Sequence, residues 1–294
     1  MKLTDVLGLN RRELELINPL NPRAQILKIA ANKIAAKALL VEHGLPVPAL
    51  YGVIAHAGDY ARFRWQDLPL DFALKPSGGG RGCGILVTNG YRDGAWRSHG
   101  GAPITLDALR YHVLAILHGD FSREGGCDHA AFFEQKLRTA RDLTGETAQG
   151  LPDLRVIVRE GVAVMAMMRI PTSKSDGKAN LHQGAIGVGI DIDSGRTLNA
   201  VLEGECRRSH PDTDRDLVGL TVPDWPRIRD IAVHAAKISG LGYTGVDLVI
   251  DDDIGPAILE INARPGLDIQ IANLRGLRGA IAATSAPSLV AQPA

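Results

Sequence analysis

Residues 245–268, GVDLVIDDDIGPAILEINARPGLD, constrain the fold more than any other stretch of the chain. Residues 246–251 are rich in β-branched and apolar side chains, which suit a half-buried strand. Residues 252–255 supply turn chemistry, and residues 257–262 give a second strand. The stretch therefore predicts a β-hairpin with a four-residue loop.

Three oxygen-bearing side chains converge in this hairpin. A four-residue loop places Asp247 directly opposite Glu260, and the alternation of side chains along a strand puts Glu260 and Asn262 on one face. Opposed carboxylates repel unless a cation neutralises them, and Mg²⁺ uses one or two carboxylates together with substrate phosphates. The sequence therefore predicts a magnesium site at Asp247, Glu260 and Asn262.

A plainer interpretation is a solvated hairpin with an acidic outer face, since surface acids are common. Two features favour the metal site. The acids alternate with apolar residues, which predicts a second face embedded in a core: Leu248, Ile250, Leu259 and Ile261. The chain also turns sharply just beyond the site, at Asn-Ala-Arg-Pro-Gly, which is expected to leave Arg264 beside the metal.

A glycine-rich loop lies between two further predicted strands. Residues 72–75 (FALK) lead into PSGGGRGCG at residues 76–84, and ILVT follows. Glycines let backbone N–H groups approach phosphates without a Cβ clash, and Lys75 adds a point charge. The loop matches neither a Walker A nor a Rossmann pattern, and by itself it could be a flexible hairpin tip. Its candidate phosphate-binding residues are Ser77, Gly78, Gly79, Gly80, Arg81 and Gly82.

Asn32 is expected to cap a helix that Gly44 ends. The predicted buried stripe of this helix is Ile34, Ala38 and Val41. Lys33 and Lys37 are one turn apart and point to a common side. For Lys37 we favour a solvated position, because lysines are mostly exposed.

Composition bounds the class of protein. The 294 residues carry 33 basic and 33 acidic side chains, and this balance argues against non-specific nucleic-acid binding. Three dispersed cysteines match no zinc or disulfide pattern, and neither a signal peptide nor a membrane span is evident. These features favour a cytoplasmic protein. Residues 1–31 are expected to form an arm, and residues 284–294 a disordered tail.

The hairpin motif, Asp247 followed by Glu260-x-Asn262-x-x-Pro265-Gly266, resembles the magnesium motif of the ATP-grasp superfamily. Within it, the run is similar to the RimK-like α-L-glutamate ligases, as is the stretch at residues 21–54. The resemblance implies an α+β ATP-grasp domain over residues 32–283, with ATP between two lobes. The small lobe would span about 40–130 and the large lobe about 131–283. Only the short arm precedes the domain, so the group's usual N-terminal domain is expected to be missing.

The resemblance also implies roles for single residues. Lys33, Lys75 and the glycine loop would clamp the polyphosphate of ATP. Residues 131–137 resemble the linker strand that reads adenine, although an ordinary strand-to-loop boundary would look the same. On that alignment, four residues border the adenine and ribose: Glu134, Gln135, Lys136 and Leu137.

A further set would act on the reacting phosphate. Arg169 and Asn180 match an arginine and an asparagine that lie near the γ-phosphate and metal in this group, and Lys178 is close in sequence. Arg169 and Arg264 would stabilise the acyl phosphate and its tetrahedral successor, because phosphoryl transfer needs cations that offset charge. The cofactors implied are ATP and Mg²⁺, with Mn²⁺ as a substitute metal.

The reaction implied is ATP-dependent ligation of a carboxylate to an amine through an acyl phosphate. The expected substrates are an amino acid such as glutamate and a peptide, protein or small acid, with a partner protein completing an open acceptor site. A carboxylate–thiol ligase or a kinase would use the same ATP site. A non-catalytic MgATP-binding module is the other alternative.

Overall fold

The computed structural model describes residues 2–78, 82–98, 100–121, 129–139 and 150–285. Its α-helices, in chain order, are α1 Leu9–Arg12, α2 Asn18–Leu20, α3 Arg23–Gln25, α4 Lys33–Glu42, α5 Ala57–Arg62, α6 Leu106–His118, α7 Trp225–Ser239, α8 Ile269–Ala272 and α9 Leu277–Ser285. Its strands are β1 Leu50–Ile54, β2 Ala73–Pro76, β3 Leu86–Arg92, β4 Ala95–Ser98, β5 Pro103–Ile104, β6 Ala131–Glu134, β7 Asp153–Arg159, β8 Val162–Ile170, β9 Ile186–Ile190, β10 Thr197–Leu202, β11 Glu205–Arg207, β12 Tyr243–Asp251 and β13 Gly255–Asn262. Single turns of 3₁₀-helix form at Leu3–Asp5, Trp65–Asp67, Ser173–Ser175 and Leu181–Gln183, and π-helical turns at Glu13–Ile17 and Ile26–Ala30.

The chain divides into two compact units. The small unit is Leu27–Arg138, and the large unit combines Met1–Ile26 with Thr139–Ala294. We expected the small lobe to end near residue 130, but β6 pairs with both β1 and β2 and so belongs to the small unit. The segment at residues 3–26, expected to be an arm, is part of the large unit.

The small unit is built on an antiparallel sheet of six described strands in the order β1-β6-β2-β3-β4-β5. One face carries a core rich in aromatic side chains, including Trp65, Phe72, Trp96 and Phe133. Helix α6 covers this face with Leu109, Val113 and Ile116, and the Thr105 side chain caps the start of the helix. The other face of β2 and β6 carries Lys75 and Glu134, because side chains alternate along each strand.

Helix α4 begins as predicted, since the Asn32 side chain accepts the N–H groups of Ile34 and Ala35. Its predicted buried stripe was wrong. Ala38 and Val41 are exposed, and the buried residues are Ala36, Lys37 and Leu40. The expectation that Lys37 is solvated was therefore also wrong.

The large unit contains an antiparallel sheet of seven described strands in the order β11-β10-β9-β8-β7-β12-β13. Strand β12 is buried along its whole length, because it lies between β7 and β13 and α7 packs against it. Ile157, Tyr243 and Met167 meet the arm and helices α8 and α9 in one apolar cluster. Together the two sheets with their helices confirm an α+β fold.

The C-terminal hairpin forms, but its loop has three residues instead of four. Asp251 pairs with Gly255, whose φ of +71° suits glycine at the end of a tight turn. A β-bulge at Leu259 then shifts the register by one residue, so Asp247 still pairs with Glu260. The predicted opposition of the two carboxylates is therefore correct, although it arises from a bulge that the sequence did not reveal.

The arm is held to the hairpin by buried polar contacts. The Asn21 amide accepts the N–H of Tyr243 at 2.9 Å and donates to the carbonyls of Tyr243 and Ala263 at 2.7 and 3.1 Å. Arg12 donates to the carbonyl of Pro265 at 2.8 Å. These contacts fix the open end of the hairpin, where β13 leaves the sheet. No helix in the described part of the chain has the length and apolar character needed to span a membrane.

Candidate active site

A buried ionic cluster occupies one face of the large sheet, with Asp247 at its centre. The Asp247 carboxylate accepts two bonds from Arg155, at 2.7 and 2.6 Å, and a third from Arg169 at 2.8 Å. Arg169 also forms a two-point contact with Asp153, at 2.6 and 2.5 Å. Two carboxylates and two guanidinium groups therefore balance one another in a largely buried region.

The sheet register explains this arrangement. Arg155 lies directly opposite Asp247 on the neighbouring strand, and Asp153 lies opposite Arg169. Asp153 and Arg155 are two residues apart on β7, so their side chains share a face. Three adjacent strands thus deliver four charged groups to one place, and opposite charges face each other across each strand pair.

The pKa values of the two carboxyl groups in the cluster are shifted in opposite directions. Burial opposes ionisation of Asp247, but Arg155 and Arg169 outweigh it and lower the pKa of that carboxyl to about 2. Burial and the neighbouring charge of Asp247 raise the pKa of Asp153 to about 6, although Arg169 opposes the shift. Asp247 is therefore a permanent anion at neutral pH.

The three predicted metal ligands do come together. Asn262 lies with its amide nitrogen 3.2 Å from Asp247 Oδ2 and 3.0 Å from Glu260 Oε1. Glu260 and Asn262 are half-buried, whereas Asp247 is 2% exposed. Within the described residues, no group of three or more His, Cys, Asp or Glu side chains could hold a metal ion. Two carboxylates and an amide are nonetheless a donor set that suits Mg²⁺, provided that Asn262 turns its amide oxygen to the carboxylates, where its nitrogen now lies. Mg²⁺ takes few protein ligands and completes its shell with phosphates and water.

Arg264 lies elsewhere than the sequence led us to expect. Its exposed guanidinium contacts Glu13 of the arm at 3.4 Å, and no described contact joins it to Asp247 or Glu260. Proline at the next position turns the backbone, and the carbonyl of Pro265 is held by Arg12. Arg155 is the second arginine of the cluster instead.

Lys178 and Asn180 lie on the loop between β8 and β9. The Asn180 side chain accepts the N–H of His182 at 3.0 Å and so caps the turn at Leu181–Gln183. Lys178 is exposed and lies 4.0 Å from Asp176. The described contacts bring neither residue to the Asp247 cluster.

A second ionic cluster lies in the small unit. Glu134 is 3% exposed and receives Lys75 Nζ at 2.5 Å on one carboxylate oxygen and Lys37 Nζ at 2.8 Å on the other. Lys37 also donates to the carbonyl of Pro48 at 2.8 Å. Burial opposes ionisation of Glu134, but Lys75 and Lys37 outweigh it and hold the pKa of Glu134 below its usual range.

Burial lowers the pKa of Lys37 despite the attraction of Glu134. The pKa of Glu134 falls because its carboxylate faces two cations. The pKa of Lys37 also falls, because burial disfavours its charge and its ammonium faces a like charge, Lys75, as well as one anion. The cluster therefore carries one more positive charge than negative when all three groups are ionised.

The start of the glycine loop is anchored to its neighbours. Ser77 is buried, its N–H donates to the carbonyl of Ala130 at 2.7 Å, and its hydroxyl accepts the N–H of Ala130 at 3.0 Å. Its carbonyl accepts the N–H of Lys33, so the loop begins beside the start of α4. Gly82 has a φ of +73° and open space where a Cβ would stand. Gly78 is buried, while the predictions at Gly79, Gly80 and Arg81 lie outside the described residues.

The predicted linker follows Glu134. The N–H of Gln135 donates to the carbonyl of Ala49 at 2.8 Å, so this group is already paired. Lys136 contacts Asn89 at 2.6 Å, and Leu137 is buried. Gln135 therefore lies beside the start of β1, and Lys136 lies beside β3. The contacts of the linker residues with adenine stay a prediction.

Sequence reasoning assigned no role to Arg155, Asp153 or Lys37. The signal for the first two was present, since Asp153-Leu-Arg155 opens a strand with opposite charges two residues apart. It becomes informative only when the strand order is known. Lys37 carried no such signal, because an ordinary surface lysine has the same spacing from Lys33.

The chain is similar to known proteins in sequence. The model of the sugar-transfer associated ATP-grasp family matches residues 11–286. A probable α-L-glutamate ligase of Psychromonas ingrahamii is 30% identical over 184 residues, which cover 62% of this chain and 49% of that protein. Probable α-L-glutamate ligase 2 of Shewanella baltica is 40% identical over 82 residues, covering 27% and 26%. The chain thus spans half or less of the length of these relatives.

Solved structures of two ligases are also similar. The ATP-grasp ligase PsnB in complex with a minimal precursor is 19% identical, with a TM-score of 0.49 over 90% of this chain and 63% of that chain. L-amino acid ligase from Bacillus licheniformis is 13% identical, with a TM-score of 0.49 over 89% and 48%.

Proposed function

We propose, from the premise that the chain belongs to the sugar-transfer associated ATP-grasp family, that it is an ATP-dependent ligase joining a carboxylate to an amine. The family match confirms the superfamily inferred from the hairpin motif, although its description names a group other than the RimK-like ligases. The observation that carries the proposal is the meeting of Asp247, Glu260 and Asn262 beside the guanidinium of Arg169.

This arrangement suits phosphoryl transfer. An ionised carboxylate, a second half-buried carboxylate and an amide oxygen would hold Mg²⁺, which offsets the charge of the β- and γ-phosphates when bound. Arg169 stands next to these ligands, held in place by Asp153 and Asp247. A guanidinium fixed by two carboxylates is preorganised to stabilise charge on a transferring phosphate.

The residues proposed to bind the polyphosphate belong to the small unit. Lys75 and the glycine loop of the small unit would bind the polyphosphate, and Lys33 is anchored beside that loop through its backbone. The large unit supplies the metal ligands and Arg169. No side-chain nucleophile is required, because positioning and charge supply the catalysis.

The proposed ligation proceeds in two steps. A carboxylate oxygen of the acid attacks the γ-phosphorus, the bond to the β-phosphate oxygen breaks, and ADP leaves. The amine then attacks the acyl carbon, inorganic phosphate leaves with the carbon–oxygen bonding pair, and the amine proton passes to phosphate or water. For the amine we propose an amino acid such as glutamate, following the names of the curated relatives.

An isotope experiment tests this proposal. The purified protein is incubated with ATP, Mg²⁺, amino acids and a panel of acids that carry ¹⁸O in the carboxylate. Ligation through an acyl phosphate transfers one ¹⁸O to inorganic phosphate and yields an amide of matching mass. Release of unlabelled phosphate alone would contradict the ligase mechanism.

One observation favours a second candidate, a nucleotide-binding module without turnover. Arg155 and Arg169 already engage Asp247, so a metal at this carboxylate competes with two guanidinium groups. Such a module would bind nucleotide tightly yet release no ADP above background with any acid and amine. The same assay therefore separates the two candidates.

A further inference from the structure

The ionic cluster of the small unit contains one lysine more than a simple ion pair needs. Glu134 is contacted on one oxygen by Lys75 and on the other by Lys37. Buried lysines are rare, and each needs a reason to be there. The surplus positive charge in this cluster attracts an anion, which no described side chain supplies.

The two lysines are not equivalent. Lys37 is fixed, because its ammonium bridges Glu134 and the carbonyl of Pro48 and its side chain is 8% exposed. Lys75 is the more accessible at 17%, and it lies on the strand that leads directly into the glycine loop. Strand pairing places Lys75 diagonally across from Glu134 on one face, within reach but not opposite it.

We propose that Lys37 is a positioning residue that keeps the charge of Glu134 neutralised, so that Lys75 is free to leave this carboxylate for a nucleotide phosphate. The inference rests on the proposed function, because it assumes that Lys75 binds the polyphosphate. Glu134 then acts as the resting partner of Lys75 when no nucleotide is bound. It is not primarily a contact for adenine.

The physical reason is the cost of an unpaired buried charge. If Lys37 were neutral, Lys75 would be the sole counter-ion of Glu134 in the cluster. Its transfer to a phosphate would then leave a buried carboxylate alone, which is strongly unfavourable. With Lys37 present, a complete Lys37–Glu134 pair remains after Lys75 has moved.

A double-mutant cycle tests this account through ADP binding, measured by titration calorimetry. Lys37→Met is expected to raise the Kd roughly tenfold or more, since breaking a buried pair is costly. In the Glu134→Gln background the same substitution should leave the Kd unchanged within about twofold, because a neutral amide does not retain Lys75. Lys28→Met, an equal change of charge at an exposed position of the small unit, should have no effect in either background.

The outcomes separate the possible roles of Lys37. Lys37→Met could weaken ADP binding equally in the wild-type and in the Glu134→Gln background. In that case Lys37 contacts nucleotide or merely supports the fold, and the inference is overturned. Lys37→Gln retains a donor for the carbonyl of Pro48 and replaces Lys37→Met if that variant unfolds. If the wild-type protein binds no ADP at all, the proposed function fails before the cycle begins.

Discussion

Replacing Asp247 with asparagine tests the ionic cluster most severely, because the change keeps shape and removes one charge. The carboxylate receives three guanidinium bonds at 2.6–2.8 Å and is 2% exposed. Without its charge, Arg155 loses the carboxylate with which it pairs, while Arg169 retains Asp153. Breaking a buried pair from one side costs about 3–5 kcal/mol, a large share of the stability of an ordinary domain.

Urea unfolding followed by circular dichroism measures this loss. We expect Asp247→Asn to lower the free energy of unfolding of the large unit by about 3–5 kcal/mol. Arg155→Met breaks the same pair from the other side. The double variant should lose less than the sum of the two single losses, because neither buried charge is then left alone. A loss below about 1 kcal/mol for Asp247→Asn, or strictly additive losses, would refute the coupled cluster.

Three further predictions concern single residues. Glu260→Gln should keep the free energy of unfolding within about 1 kcal/mol, since Glu260 is half-buried, yet reduce ADP release sharply; a wild-type rate would remove Glu260 from the metal site. Asn21→Ala should lower the free energy of unfolding in urea by about 2–4 kcal/mol, because it unpairs backbone groups of Tyr243 and Ala263. An unchanged urea midpoint would contradict the anchoring role of the arm. The pKa of Glu134 is depressed, so its ion pairs stabilise the fold above about pH 4.3, the ordinary glutamate pKa, and lose that effect as the pH falls through the folded value. Glu134→Gln should therefore flatten the acid limb of the stability profile, and an acid limb as steep as that of the wild type would count against it.

The hairpin shows why so much of the large unit could be predicted. Its composition fixes two strands and a turn, and the need to bury one face fixes which side chains share the other. The opposition of Asp247 and Glu260 followed from an assumed four-residue loop, whereas the protein uses a three-residue loop and a bulge at Leu259. The pairing of Asp247 with Glu260 was therefore predicted correctly from a wrong loop length, because the bulge offsets the missing loop residue.

Helix α4 shows where sequence reasoning fails. Its run KIAAKALLVE places apolar residues on every side, so periodicity does not determine which stripe is buried. The stripe that packs includes Lys37 because Glu134, almost 100 residues later in the chain, supplies a buried partner. A contact of that kind depends on strand pairing between β1, β2 and β6, which no local pattern encodes.

The same reason explains why Arg155, and not the predicted Arg264, contacts Asp247. Nearness in sequence to the C-terminal hairpin favoured Arg264, but the Arg264 side chain contacts Glu13 instead. Arg155 is about 90 residues away in sequence and yet directly opposite Asp247 across the sheet. Long-range register, and not local motif, decides which guanidinium meets the carboxylate.

We propose that this protein binds a nucleotide through Lys75 and a divalent metal through Glu260. Calorimetric titration of ADP with and without Mg²⁺, for wild type, Lys75→Ala and Glu260→Gln, tests both sites in one experiment. We expect Mg²⁺ to strengthen binding to the wild type, Lys75→Ala to weaken binding with or without metal, and Glu260→Gln to remove only the effect of Mg²⁺. Binding that is absent, or unaffected by Mg²⁺ and by both substitutions, would contradict the account.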